Sequence, residues 1–300
     1  MELQEMIYNR LRNDEDIESM TATYDDGAAV FYQMPAPQDD ERWGSAIQYP
    51  RIDYLLDMMD NPARNANGVL TINVWCDTQV GVEPEDIESR IKALLHASFA
   101  QADDYPYCFS WVRSDAFEIK KQQEETVRII GVTVSFDVIA CPKQETTSPD
   151  PIKALNDWTK ETLPDAKVIC RDEIDGWFTP TKETPAVYWR VASEDIKEQH
   201  FAYTWLNFTA EGHVYAPTAD DRLHTMAILK TAASLIGHVT MEDGSPLLQK
   251  NFESKPNLNY PKVGQLKFEG SFGILQPKSH LRGSDYTGEK ILNPNFNFTN

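Results

Sequence analysis

Positive charge is what this chain has least of: 28 Lys and Arg stand against 47 Asp and Glu, a formal net charge of −19 over 300 residues. Binding to a phosphate backbone depends on clustered Lys and Arg, so an excess of this sign argues against it. The deficit is uneven. Residues 1–143 hold 12 basic and 26 acidic side chains, against 16 and 21 in 144–300, giving −14 and −5. DNA sliding past without adhering is compatible with such a surface, because a negative wall repels phosphates. A solvated acidic exterior that aids solubility explains the same charge more simply.

Long hydrophobic runs are also missing. No window approaches the roughly 18 apolar residues that cross a bilayer, and Met1 leads into Glu2-Leu3-Gln4-Glu5, so neither a membrane span nor a secretion signal is expected. Cysteine is sparse. Cys76, Cys108, Cys141 and Cys170 lie far apart, three of them within apolar or aromatic runs where cysteine behaves as a small hydrophobe, and no zinc knuckle or disulfide framework is expected.

The motifs of common chemistries are lacking as well. There is no phosphate-cradling glycine loop, Gly-x-Ser-x-Gly elbow, His-Glu-x-x-His helix or calcium loop. Only Asp220, Asp221 and His224 gather at a spacing suited to metal ligands, and the two acids sit where a helix start wants them. Acidic runs such as Asp39-Asp40-Glu41 and Asp103-Asp104 read as solvated loops. The expectation is therefore no catalytic residue, no metal and no cofactor.

What is present is enough apolar material for two cores: 41% hydrophobic and 11% aromatic residues. Its arrangement repeats once. A helix from Leu3 to Leu11 and the apolar strand Ala28 to Tyr32 are matched by a helix from Ile152 to Thr162 and the strand Ala166 to Cys170. The proline-led strand Pro50 to Leu56 is matched by Pro185 to Val191, and the long strand Val69 to Cys76 by the aromatic-rich Phe201 to Phe208.

Each long strand leads into an acid-capped helix. The first starts at Pro84-Glu85-Asp86 with a stripe of Ile87, Ile91, Leu94, Leu95 and Phe99. The second starts at Thr218-Ala219-Asp220-Asp221, a capping box, and continues through Ile228, Ala232, Leu235 and Ile236, which are expected to be largely buried. Each half closes on strict alternation before a proline. Val132, Val134, Phe136 and Val138 precede Pro142; Leu266, Phe268, Phe272 and Ile274 precede Pro277. Pro50 to Pro185 and Pro142 to Pro277 are both offsets of 135 residues.

The fold expected is α+β: two copies of a small mixed sheet packed by helices, in helix-strand-strand-strand-helix-strand order. The first domain spans 1–143, a linker 144–150, the second domain 151–277 and an extended arm 278–300. The run Tyr105, Tyr107, Phe109 and Trp111 is dense enough in aromatics for a core strand or a protein interface, and Phe296 and Phe298 would anchor the arm on a partner.

This element order resembles that of tail terminator and tail completion proteins of tailed bacteriophages. The likeness is carried by the Pro50 to Leu56 and Val69 to Cys76 strands, the Pro84 to Phe99 helix, the Val132 to Pro142 strand and their counterparts from Pro185 to Pro277. The resemblance implies a structural virion protein, assembled in the host cytoplasm, that forms a ring of its own copies, commonly six-fold. Such a ring caps the tail tube, contacts tube, sheath or neck proteins, and lets DNA pass through its lumen without specific binding. The family has no catalytic residues to carry over and is usually one unit long, so the tandem is a departure.

Other readings stay open at this level. A neck, head-completion or baseplate subunit shares the structural class. A small-molecule or peptide-binding module would use Trp189, Tyr203 and Trp205 as a pocket wall, and a hydrolase would draw on scattered acids and His224.

Overall fold

The computed structural model describes residues 1–44, 47–62, 64–103, 105–120, 128–144 and 146–275, and they form an α+β protein. The first half opens with α1 (Leu3–Arg12) and α2 (Glu15–Met20). Asp14 stands between them as an N-cap, accepting the Ile17 N–H at 3.1 Å. The chain continues through β1 (Thr23–Tyr24), β2 (Gly27–Ala28), β3 (Val30–Tyr32), β4 (Arg51–Asn61), β5 (Asn65–Asp77), α3 (Pro84–Leu95), β6 (Phe99–Gln101), β7 (Pro106–Lys120) and β8 (Arg128–Ala140). The second half comprises α4 (Pro151–Thr162), β9 (Lys167–Val168), β10 (Trp177–Phe178), β11 (Ala186–Gln199), β12 (Tyr203–Tyr215), α5 (Ala219–Leu235), β13 (His238–Thr240), β14 (Pro246–Ser254) and β15 (Leu266–Leu275).

Alternation sets the sheet faces. Leu70, Ile72, Val74 and Cys76 on β5, with Val134, Phe136 and Val138 on β8, are fully buried on one side, where Ile7 and Leu11 of α1 and Ile87, Ile91 and Leu95 of α3 cover them. Each such side chain contributes about 1.5–3 kcal/mol through removal from water. In the second half Trp189, Phe208, Phe268 and Phe272 pack against Leu155 and Trp158 of α4 and Met226 and Leu229 of α5.

The first sheet runs β10-β6-β7-β8-β5-β4-β3 and the second β13-β14-β15-β12-β11-β9. Apart from β10, the two orders correspond strand for strand. In both, the short strand at one edge is the parallel one, β3 beside β4 and β9 beside β11, and the other pairings are antiparallel.

Three details differ from the sequence-based expectation. Between helix and closing strand each half carries two further strands, β6 with β7 and β13 with β14, so its order is longer than helix-strand-strand-strand-helix-strand. Next, α3 stops at Leu95. Ala97 takes a positive φ of 59° and donates its N–H to Phe109 O at 2.8 Å, which redirects the chain and places Phe99 on the sheet. The buried face of α5 also lies elsewhere: Thr225, Met226, Leu229 and Ala233 point inward, while Leu235 is 81% exposed. Capping fixes where α5 starts, but the second sheet covers only one side of it. Pro277 and the arm from 278 lie outside the described residues, as do Phe296 and Phe298.

The halves are tightly joined. β10 belongs to the second half by sequence yet pairs with β6 at the edge of the first sheet. A separate core draws Phe99, Cys108 and Cys141 from one side and Ile169, Ala186, Tyr188, Tyr215 and Tyr260 from the other. The segment of linker composition takes part: Gln144 Oε1 accepts the Val191 N–H at 2.7 Å, and Asp150 caps α4 through the N–H groups of Ile152 and Lys153.

Candidate functional site

The aromatic run that starts at Tyr105 and continues along β7 divides between interior and surface. Phe109 is fully buried and stacks on Trp177 of β10 at 5.5 Å, and Tyr107 is buried beside a half-buried Tyr105 at 5.2 Å. Those positions build the core and the joint. Trp111 is 39% exposed on the α3 side, with Lys92 Nζ 5.1 Å from its ring center and its own Nε1–H donated to Ser114 Oγ at 3.1 Å. Its backbone N–H is donated to His96 Nδ1 at 3.1 Å, leaving Trp111 the one member of the run available to a partner.

Among the described residues, nothing covers the face of the first sheet turned away from the helices. Across its middle runs a polar ladder: Asn73 Nδ2 donates to Asp53 Oδ1 at 2.8 Å, Thr133 Oγ1 donates to Asn73 Oδ1 at 2.8 Å, and the Trp75 indole N–H is donated to Asp53. Asp53 is thereby satisfied although only 8% exposed. To one side of the ladder stand Leu55, Met59 and Val69, each at least 40% exposed. To the other, Phe117 packs edge-on to Trp75 at 4.7 Å, and Ile119 is 45% exposed. Apolar side chains exposed together on a sheet are the kind of surface that can take a contact. The tip of the β11–β12 hairpin adds Ile196 and Phe201, both strongly exposed, with Leu275 opposite Tyr203 nearby.

Between the halves lies a buried polar joint. Arg64, in the β4–β5 turn and 5% exposed, donates to Pro261 O at 3.0 Å and contacts His213 Nε2 at 3.1 Å. Arg190 Nε donates to the same His213 nitrogen at 3.3 Å while its Nη2 pairs with Glu211 at 2.6 Å. His213 Nδ1 faces Tyr260 O at 2.8 Å, which assigns the proton to Nδ1 and the acceptor role to Nε2. Burial first, and then the Arg64 guanidinium, depress the His213 pKa to about 3. Lys262 pairs with Asp137 at 2.6 Å on the rim of the joint.

Two clefts accompany these features. One, between Pro142, Gln144, Thr147 and Val191, contains Glu194, whose pKa is raised by burial and by Asp150. The other holds Arg10 over Trp177 at 5.3 Å, and Asp14, which is already paired with Arg90 at 2.6 Å. In the first, the Thr146 hydroxyl is donated to Asp150 Oδ1 at 2.8 Å. Among the described residues no three His, Cys, Asp or Glu side chains are placed to hold a metal ion. Asp221 is committed to its cap, giving its N–H and accepting the hydroxyl proton of Thr218. No described helix is long and apolar enough to cross a membrane. Of the aromatics that would wall a pocket, Trp189 is 1% exposed and donates Nε1–H to Thr159 Oγ1 at 2.8 Å, so it belongs to the core.

Sequence reasoning passed over Asp53, Arg64 and His213. Asp53 did carry a signal, an acid inside the apolar run Ile52 to Tyr54. Arg64 sits in a polar turn and gave none. No protein-family model matches the chain, and no curated protein matches it.

Proposed function

We propose that the chain is a tandem of one α+β unit and a structural assembly subunit of the tail terminator or tail completion kind. It works as a ring of its own copies at the head-proximal end of a tail tube, in the virion, after assembly in the host cytoplasm. The observation that carries the assembly reading is the open face of the first sheet, where Leu55, Met59, Val69 and Ile119 are exposed on a rigid support. The tail position rests on the resemblance in element order, and the shared strand order of the two sheets supports a tandem of one unit.

The acidity suits a channel for DNA, since a negative lumen repels phosphate. The segment 278–300 would grip a neighboring subunit or the tube through Phe296 and Phe298. Purified protein imaged by negative stain should show rings with a central channel; a monodisperse monomer that joins none of its genomic neighbors would sink the proposal. Removing 278–300 should then stop assembly while leaving the melting temperature of the subunit unchanged.

A further inference from the structure

Among the described residues, the first sheet has two stretches of edge with no strand alongside. Along β4, strand β3 pairs with Ile52 to Tyr54, and among the described residues the Gln33 N–H donated to Tyr54 O at 2.8 Å is the last backbone bond on that side. From Leu55 to Asn61 the strand neighbor among the described residues is β5. Along β7, β6 pairs with Pro106 to Cys108, backbone bonds continue to Phe109, and Trp111 uses His96. From Arg113 to Ile119 the strand neighbor among the described residues is β8.

Their placement is complementary. One row of the sheet reads Leu55–Thr71–Ser135–Arg113, and both uncovered stretches start from it. The β4 stretch extends to one end of the sheet and the β7 stretch to the other, so the sheet is a parallelogram with one open side at each end. Three antiparallel pairings separate β4 from β7, which makes them antiparallel to each other. A second copy in the same orientation therefore brings its β7 alongside the first copy's β4 with the sense that antiparallel pairing needs.

The backbone groups agree. Ile52 N–H and Tyr54 O point toward β3, so by alternation Leu56, Met58 and Asp60 point the same way. On β7 the bulge between Trp111 and Arg113 shifts the parity, and Ser114 and Ala116 point outward. Full overlap sets Met58 against Ala116, and on the open face Leu55 beside Ile119 and Met59 beside Asp115. A long uncovered edge is a template for another strand. Self-pairing of two β4 edges would collect Asp57 and Asp60 from both copies with no cation, whereas the β7 stretch brings Arg113, 71% exposed and paired with Asp115 at 3.1 Å, together with the acids Asp115 and Glu118.

We propose that copies of this chain join head to tail by antiparallel pairing of the β4 edge, Leu55 to Asn61, with the β7 edge, Arg113 to Ile119, of the next copy. The sheet then runs on across the subunit boundary, and because the contact is heterologous it closes into a ring when the rotation permits. This deepens the assembly reading and rests on it.

Oxidative cross-linking tests the pairing. Met59→Cys and Asp115→Cys, both at exposed positions, are made singly and together. An equimolar mixture of the single variants should give disulfide dimers, each single variant alone none, and the double variant a ladder on non-reducing gels. Ala116→Pro removes an outward N–H at an edge position that tolerates proline, so it should weaken association by about tenfold with the subunit still folded. Efficient cross-linking of Met59→Cys with itself would replace the head-to-tail contact by a two-fold one. Oligomers that persist with neither cross-linking nor any effect of Ala116→Pro would overturn the edge pairing and leave the assembly reading standing. Wild-type protein that stays monomeric by mass photometry would overturn both.

Discussion

Nη2 of Arg64 lies 3.1 Å from Nε2 of His213, across the boundary between the two halves of the chain. The guanidinium also reaches Pro261 O and Lys262 O, so a cation from one half is solvated by the carbonyls and imidazole of the other. Arg64→Ala takes this donor from the Pro261 and Lys262 carbonyls, while His213 Nε2 keeps Arg190, and should cost about 2–4 kcal/mol. Chemical denaturation followed by tryptophan fluorescence checks it. The expected outcome is a lower midpoint or two separate transitions; an unchanged midpoint would show that the joint does not depend on this side chain.

His213 makes the same joint sensitive to acid. Its folded pKa is depressed to about 3, while in the unfolded chain it titrates near the ordinary value of 6.5. The unfolded state therefore binds the proton first. Stability contributed by the neutral ring is complete above about pH 6.5 and declines as pH falls toward 3, by at most about 1.4 kcal/mol per pH unit. His96, also depressed by burial and then by Arg222, adds a contribution of the same sign. Denaturation midpoints measured between pH 7 and 5 should fall in the wild type and fall less in His213→Gln.

Phe109 and Trp111 should respond very differently to truncation although they are two residues apart. Phe109→Ala empties a fully buried, stacked site and should cost about 3–5 kcal/mol. Trp111→Ala removes a half-exposed ring and should cost under about 1 kcal/mol. Thermal melts of the two variants decide it, and equal losses would contradict the division of β7 into core and surface.

Thiol reactivity should be low throughout the native protein. Cys76, Cys108 and Cys141 are fully buried and Cys170 is partly so, donating to Cys141 O at 3.0 Å. Burial pushes Cys76, Cys141 and Cys170 up to about 12 and Cys108 well above its ordinary value. A thiol-reactive dye at pH 8 should label the native chain slowly and all four cysteines after denaturation. Fast labeling of a native thiol would contradict this burial.

Periodicity along the chain was sufficient for the elements whose faces alternate. The inward row of β5, the matching row of β8 and the helix stripe Ile87, Ile91, Leu94 and Leu95 all followed from it, as did the cap at Thr218. These are local: a side chain's face is set by residue spacing, and a cap by its own N–H groups. The order of helix-period and strand-period segments also carried the α+β class. Tertiary structure alone decided what depends on partners distant in sequence. Arg64 meets His213 149 positions away, β10 crosses to the other sheet, Phe109 is covered by Trp177, and α5 buries a face its own sequence did not favor. The stretches of β4 and β7 with one strand neighbor among the described residues are of the same kind, because whether a strand has a second neighbor is a property of the whole sheet and not of any segment within it.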